Sequence, residues 1–171
     1  MPAATFEDLA LPLFDQLYNF AHWLTADKDE AEDLVQETYA KALRGFSSFQ
    51  PGTNFRAWMY RILRNSFLSS RTGLKATVPF DEEVHETAAM DPVTPETLLV
   101  AQAGRETVQE ALSELPVHFR EILLLCEVEE MSYQEIAETL AIPPGTVMSR
   151  LFRARKALRR LLEAKLAGGV R

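Results

Sequence analysis

The stretch "MSYQEIAETLAIPPGTVMSRLFRARKAL", Met131 to Leu158, decides the fold of its half of the chain. Ser132 followed three residues later by Glu135 is the pattern of a capping box. Ile136, Ala137 and Leu140 then make a short amphipathic helix. The turn "AIPPG" ends it, and a second helix is expected from about Thr146. Its apolar positions Val147, Leu151, Ala154, Leu158 and Leu161 step by four, three, four and three residues, so one narrow stripe must pack inward. On a 100° wheel the opposite side collects Ser149, Phe152, Arg153, Lys156 and Arg160, with Arg150 on a flank. The reading is a helix-turn-helix whose second helix keeps its cations on the free face. Such a helix fits the major groove of a duplex, where Arg reads guanine bidentately. The competing account is a helical hairpin that is merely basic.

Charge changes sign three times along the 171 residues. Residues 1 to 40 hold nine acids and one base, and residues 41 to 80 hold seven bases and no acid. Residues 81 to 149 hold fifteen acids and two bases, and residues 150 to 171 eight bases and one acid. Two basic islands thus sit in a chain of net charge -7. An acidic whole disfavours indiscriminate binding of nucleic acid, while local basic faces still neutralise phosphates.

From Thr5 to Leu74 apolar residues recur at helical spacing, with no run of period two. "KATVPFDEEVHETAAMDPVTPE", Lys75 to Glu96, reads as an extended linker, and helical periodicity resumes after the Thr94 cap and Pro95. The expected architecture is all-α: a helical domain over 1–74, a flexible linker over 75–94, and a second helical domain over 95–171 that ends in the helix-turn-helix. The single Cys126, within "ILLLCEV", excludes an internal disulfide and reads as a small buried hydrophobe. No stretch resembles a leader or a bilayer span, so a cytoplasmic protein without direct membrane insertion is expected.

The first basic island, "FSSFQPGTNFRAWMYRILRNSFLSSRTG", is a Pro-Gly turn followed by a helix. Phe55, Trp58, Met59 and Ile62 are expected inside. Arg56, Tyr60, Arg64, Phe67 and Arg71 are expected on the other face, where cations would meet phosphates and rings would stack on unpaired bases. A solvated helix with two half-buried rings is the alternative. Before it, "DKDEAEDLVQETYAKALRGF" buries Ala31, Leu34, Val35, Thr38 and Ala42 and presents Asp29, Asp33, Gln36 and Glu37 along the opposite side. That acidic stripe is either plain solvation or a docking surface for a positive partner.

Three stretches in this order, "DEAEDLVQETYAKAL", "NFRAWMYRILRN" and "LPVHFREILLLCEVEEMSYQEIAETLAIPPGTVMSRLFRARKALRRLL", resemble the extracytoplasmic-function sigma factors of the bacterial sigma-70 family. The resemblance covers both domains. It implies a subunit that binds core RNA polymerase and directs initiation at promoter DNA without catalysis, cofactor or metal of its own. It implies that the acidic helix meets the polymerase clamp helices through Asp33, Gln36 and Glu37. It implies that "FQPGTNF" and the helix after it recognise and melt the minus-ten element, capturing a base near Thr53, Asn54 and Phe55. The last helix would read the minus-thirty-five element through Met148, Ser149, Phe152 and Arg153, and "HFREILLLCEV" would help form a surface for the polymerase flap. It also implies control by an anti-sigma factor.

Two departures stand out. Met148 occupies a position where the family commonly has Arg or Lys, and "SSRTGLKA" is sparser in arginine than the corresponding stretch of many relatives. Two other accounts compete with this reading. A stand-alone helix-turn-helix regulator would leave the first domain without a role. A metal or hydrolytic enzyme would rest on Glu82, Glu83 and His85, a single E-x-x-H match within the linker and without the second pair a bundle site requires.

Overall fold

A computed structural model describes residues 4–72 and 103–168. The linker, Thr94 with Pro95, and the Glu82, Glu83 and His85 match lie outside the described residues.

The first half contains α1 (Phe6–Ala10), a 3-10 turn (Leu11–Leu13), α2 (Phe14–Thr25), α3 (Lys28–Gly45), a 3-10 turn (Phe46–Ser48) and α4 (Phe55–Thr72). Thr5 opens α1 with a full capping box, its hydroxyl accepting from the Asp8 amide while Asp8 accepts from the Thr5 amide. Asp27 caps α3 through the Glu30 amide at 3.0 Å, which also places two acids at the positive end of the helix dipole. The buried face of α3 is Ala31, Leu34, Val35, Thr38 and Ala42, as its spacing predicts.

The second half contains α5 (Arg105–Glu114), α6 (Val117–Leu123), which runs on as one π turn over Leu124–Val128, α7 (Tyr133–Leu140) and α8 (Pro144–Gly168). Ser132 caps α7 by accepting from the Glu135 amide at 3.0 Å. Ala141 closes α7 in the left-handed region, and α8 starts at Pro144, two residues before the expected Thr146. A proline in the first turn loses nothing, since its missing N–H would have no partner there. The inward stripe of α8 is Val147, Leu151, Ala154, Leu158 and Leu162. Leu161 is half-buried and Leu162 fully buried, because a straight helix of 3.6 residues per turn drifts off the 3.5-residue repeat that the expected stripe followed.

No strand occurs among the described residues, and no helix there is long and apolar enough to cross a membrane. The two halves are packed together. Helix α4 lies against α3 on one side and α7 on the other, and α2 touches α5 and the π turn.

Candidate nucleic-acid and polymerase interfaces

Helix α3 presents its acidic stripe to solvent, with Asp29, Asp33, Gln36 and Glu37 all exposed. Glu37 pairs with Lys41 one turn on at 3.0 Å. Both side chains are about half in solvent, so the pair stabilises little and leaves the stripe acidic. At the foot of this face, Leu34, Glu30, Asp33 and Glu37 border a shallow cleft of about 200 Å³ with Thr25, Phe67 and Ser70.

The loop before α4 is built by its turn chemistry. Gly52 has φ +91°, a left-handed conformation that glycine adopts without strain. Thr53 is exposed and donates from Oγ1 to the Gln50 carbonyl at 2.7 Å. Asn54 caps α4, its Oδ1 accepting from the Ala57 amide at 3.0 Å. Phe55 is half-buried in an aromatic cluster with Phe6, Phe46, Phe49 and Trp58, at centroid distances of 5.2 to 6.4 Å.

Along α4 the structure corrects the expected faces. Tyr60 and Phe67, placed outside by the wheel, are 0% and 1% exposed. Phe55, Trp58 and Ile62, placed inside, are only half-buried. The buried face is Met59, Tyr60, Leu63, Ser66 and Phe67, because α4 is enclosed on both sides, by α3 and α2 on one and by the second half on the other. Tyr60 meets Phe20 edge-on at 5.1 Å, and its hydroxyl donates to the Glu129 carboxylate. Burial first, and then the Glu129 charge, push the Tyr60 phenol far above its ordinary range. In this arrangement neither ring can stack on a base. Arg71 is exposed, lies over the Phe67 ring at 4.8 Å and pairs with Glu30 at 3.2 Å.

The remaining α4 cations are engaged by the second half. Arg64 Nε donates to both oxygens of Glu121, at 2.9 and 3.1 Å. Arg56 donates to the Glu129 carbonyl and lies 3.7 Å from the Glu135 carboxylate, which also accepts from Asn54 Nδ2 at 3.3 Å. Arg61 donates to the Glu138 carbonyl. Glu135, read from its spacing as a capping-box acid, thus turns its carboxylate to the other domain. Burial raises the Glu129 carboxyl above the usual range, against the opposing pull of the Tyr60 hydrogen bond and Arg56.

On α8, Lys156 is exposed, Met148 is 42% exposed, and Ser149, Phe152 and Arg153 are half-buried. Ser149 donates to the Thr146 carbonyl at 3.2 Å, and the Arg153 guanidinium lies 6.0 Å from the Phe119 ring. Arg150, expected on the flank of the DNA-reading face, is 4% exposed. Its charge acts on Glu121, and that is the correction to its role: it belongs to the interior electrostatics of the helix-turn-helix. Burial raises the Glu121 carboxyl, and Arg64, Arg150 and Arg120 in that order oppose the rise. Cys126 is half-buried and its thiol is pushed up, first by burial and then by Glu127. Most of the apolar helix expected to serve the flap is core, with Ile122, Leu123, Leu124 and Leu125 all buried.

Sequence reasoning missed Arg61, Gln109, Arg120, Glu121 and Glu129. The available signal was polarity stranded in an apolar run: "REILLLCEVEE" places Glu121 and Glu129 where a core helix wants none. Among the described residues no cluster of His, Cys, Asp or Glu could hold a metal ion.

Comparison with known proteins follows the same division. Residues 12–77 match the model of sigma-70 region 2, and residues 105–158 match that of sigma-70 region 4. The ECF RNA polymerase sigma factor SigE of Mycolicibacterium smegmatis is 37% identical over 166 residues, covering 91% of this chain and 64% of that protein. The ECF RNA polymerase sigma factor SigW of Bacillus subtilis is 32% identical over 165 residues, covering 92% and 88%. Among solved structures, the sigma factor RpoE in complex with the anti-sigma factor NepR from Bartonella quintana matches with a TM-score of 0.68 and 31% identity over 92% of this chain and 96% of that one. CnrH in complex with the cytosolic domain of CnrY matches with a TM-score of 0.67 and 26% identity, over 93% and 88%. With both halves matched in order, and relatives above 30% identity aligned over nine-tenths of it, the chain belongs to the sigma-70 family, among its ECF RNA polymerase sigma factors.

Proposed function

We propose that this protein binds core RNA polymerase through the acidic face of α3 and directs initiation by bringing α8 to a minus-thirty-five element and the α4 region to a minus-ten element. It acts in the cytoplasm and performs no bond chemistry; the work is positioning and strand separation. The observation that carries the reading is the joint display of the exposed acidic stripe on α3 and the exposed cations Lys156 and Arg160 on α8 in a chain that matches both sigma regions. A stand-alone operator-binding regulator would need only α7 and α8 and would leave the α3 stripe without a partner. The similar sigma factor RpoE is found in complex with the anti-sigma factor NepR, which supports an anti-sigma factor as a further partner of this chain.

The acidic stripe is tested with purified bacterial core polymerase and a variant carrying Asp33→Lys and Glu37→Lys. Two reversed charges at a complementary surface should weaken binding by about a hundredfold, from roughly 1.4 kcal/mol per reversal. Unchanged binding would remove α3 from the interface and with it this reading.

Met148 yields a second expectation. Replacing it by Lys adds a cation at the exposed start of α8. If that position faces a phosphate, the slope of log affinity against log salt, measured with the holoenzyme on promoter duplex, should steepen by about 0.9. An unchanged slope would place Met148 away from the backbone.

A further inference from the structure

We propose that Met148 is a specificity residue of the minus-thirty-five contact and reads the C5-methyl group of a thymine in the major groove. The proposal rests on the assignment of α8 to that element.

The start of α8 offers a base little that is polar. From Pro144 to Phe152 the only charged residue is Arg150, and Arg150 is 4% exposed, with its charge acting on Glu121. The next two cations are engaged as well. Arg153 is half-buried with its guanidinium 6.0 Å from the Phe119 ring, and Arg155 pairs with Glu127 at 2.8 Å. The Ser149 hydroxyl gives its proton to the Thr146 carbonyl. Met148, by contrast, is 42% exposed, one of four large hydrophobic side chains so placed among the described residues. A single exposed apolar side chain is ordinary on a protein surface. This one stands in the opening turns of the second helix of a helix-turn-helix, the part that meets base edges.

Met148 also heads a ridge. Residues four apart line one row of a helix surface, and here the row is Met148, Phe152, Lys156 and Arg160. Phe152 is half-buried, while Lys156 and Arg160 are exposed, so the row is apolar at the start of α8 and cationic beyond. At 1.5 Å per residue, Lys156 lies roughly 12 Å from Met148 along the axis and Arg160 roughly 18 Å. The major groove is about 12 Å wide. A helix that enters it by its first turns therefore carries those cations out to the phosphates of the groove wall and keeps Met148 over the bases. The apolar end must then face the one apolar group that the major groove displays, the thymine methyl. Guanine, which an arginine would read bidentately, meets no exposed guanidinium over Pro144 to Phe152. An adenine or cytosine beneath Met148 would bury an amino donor against an apolar side chain. The unbranched, polarisable thioether adjusts readily to the position of a methyl group.

The test uses the holoenzyme that the full chain forms with bacterial core polymerase. Its promoter is first selected from a pool of random duplex DNA. Each thymine of the upstream element is then replaced in turn by deoxyuridine, which removes the methyl group and keeps every hydrogen-bonding group. At one thymine the replacement should weaken binding about fourfold, the factor for one buried methyl group. With Met148→Ala the thymine and deoxyuridine duplexes should bind equally at that position. A selected upstream element in which no thymine is sensitive overturns the proposal, and that result comes from the unaltered protein, whatever the variant does. Sensitivity that persists at every such position in Met148→Ala overturns it too, since another side chain then reads the methyl. A holoenzyme that selects no upstream element overturns the assignment of α8 and the proposal together, whereas the two former outcomes leave that assignment standing.

Discussion

Replacing Glu121 by Ala should destabilise the protein by about 3–5 kcal/mol, the cost of leaving a buried ion pair without one member. Glu121 is fully buried. It holds Arg64, which is 17% exposed, through both carboxylate oxygens, and it is the counter-charge for the almost fully buried Arg150. Truncation removes the carboxylate that acts on both guanidinium groups and leaves a small cavity in its place. Arg64 can escape by opening the seam between the halves, but Arg150, on the buried side of α8, cannot. In a urea titration followed by helical ellipticity, the midpoint should fall by about 2 M for a slope near 2 kcal/mol per M. The double variant Glu121→Leu with Arg150→Met removes the charges together and should recover much of that loss, since well-packed apolar substitutes for a buried pair are often close to neutral. A double-mutant cycle with no coupling between the two positions would show that Arg150 is not the partner on which Glu121 depends.

The second large effect belongs to Phe20. Its ring is 1% exposed and packs edge-on to Tyr60 at 5.1 Å, with an interplanar angle of 74°. Phe20→Ala should cost about 3–5 kcal/mol, from lost burial and from the cavity that α2 and α4 cannot collapse to fill. It should also loosen the Tyr60 ring, whose hydroxyl reaches across to Glu129. The expected result is a lower unfolding midpoint together with faster hydrogen exchange of the α4 amides. A loss below about 1 kcal/mol would mean that the site repacks and that Phe20 is not a keystone of the first half.

These two sites show why the sequence was legible in parts. The inner face of α3 could be read residue by residue, because that helix buries a single stripe, against α2 and α4 together, and leaves the opposite side to water; the hydrophobic pattern is then the burial pattern. The helix-turn-helix was readable for the same reason, with an error of two residues at the start of α8 and one at its far end. Helix α4 was not. It is enclosed on two sides, so its apolar pattern covers more than half the circumference, and a wheel must choose which aromatics to place outside. The wheel put Tyr60 and Phe67 outside, where the fold buries both. Arg150 was misread because a basic residue on a basic helix looks like its neighbours; its burial and its action on Glu121, 29 positions away in sequence, come from tertiary packing. Pairings of that range are set by tertiary contact and leave no local period to detect.

The π turn at Leu124–Val128 sets the aim of one of these contacts. Its hydrogen bonds close over five residues, with the Glu129 amide donating to the Leu124 carbonyl at 3.0 Å, so the chain advances through one residue more than an α-helical turn needs. That extra residue rotates everything after it by roughly a quarter-turn or more, given about 100° per residue. Glu129 owes its approach to Tyr60 to this phase shift. An unbroken α-helix over the same residues would aim the Glu129 carboxylate away from Tyr60. A single-residue insertion or deletion in this short segment would thus re-aim every side chain of the helix end that follows it.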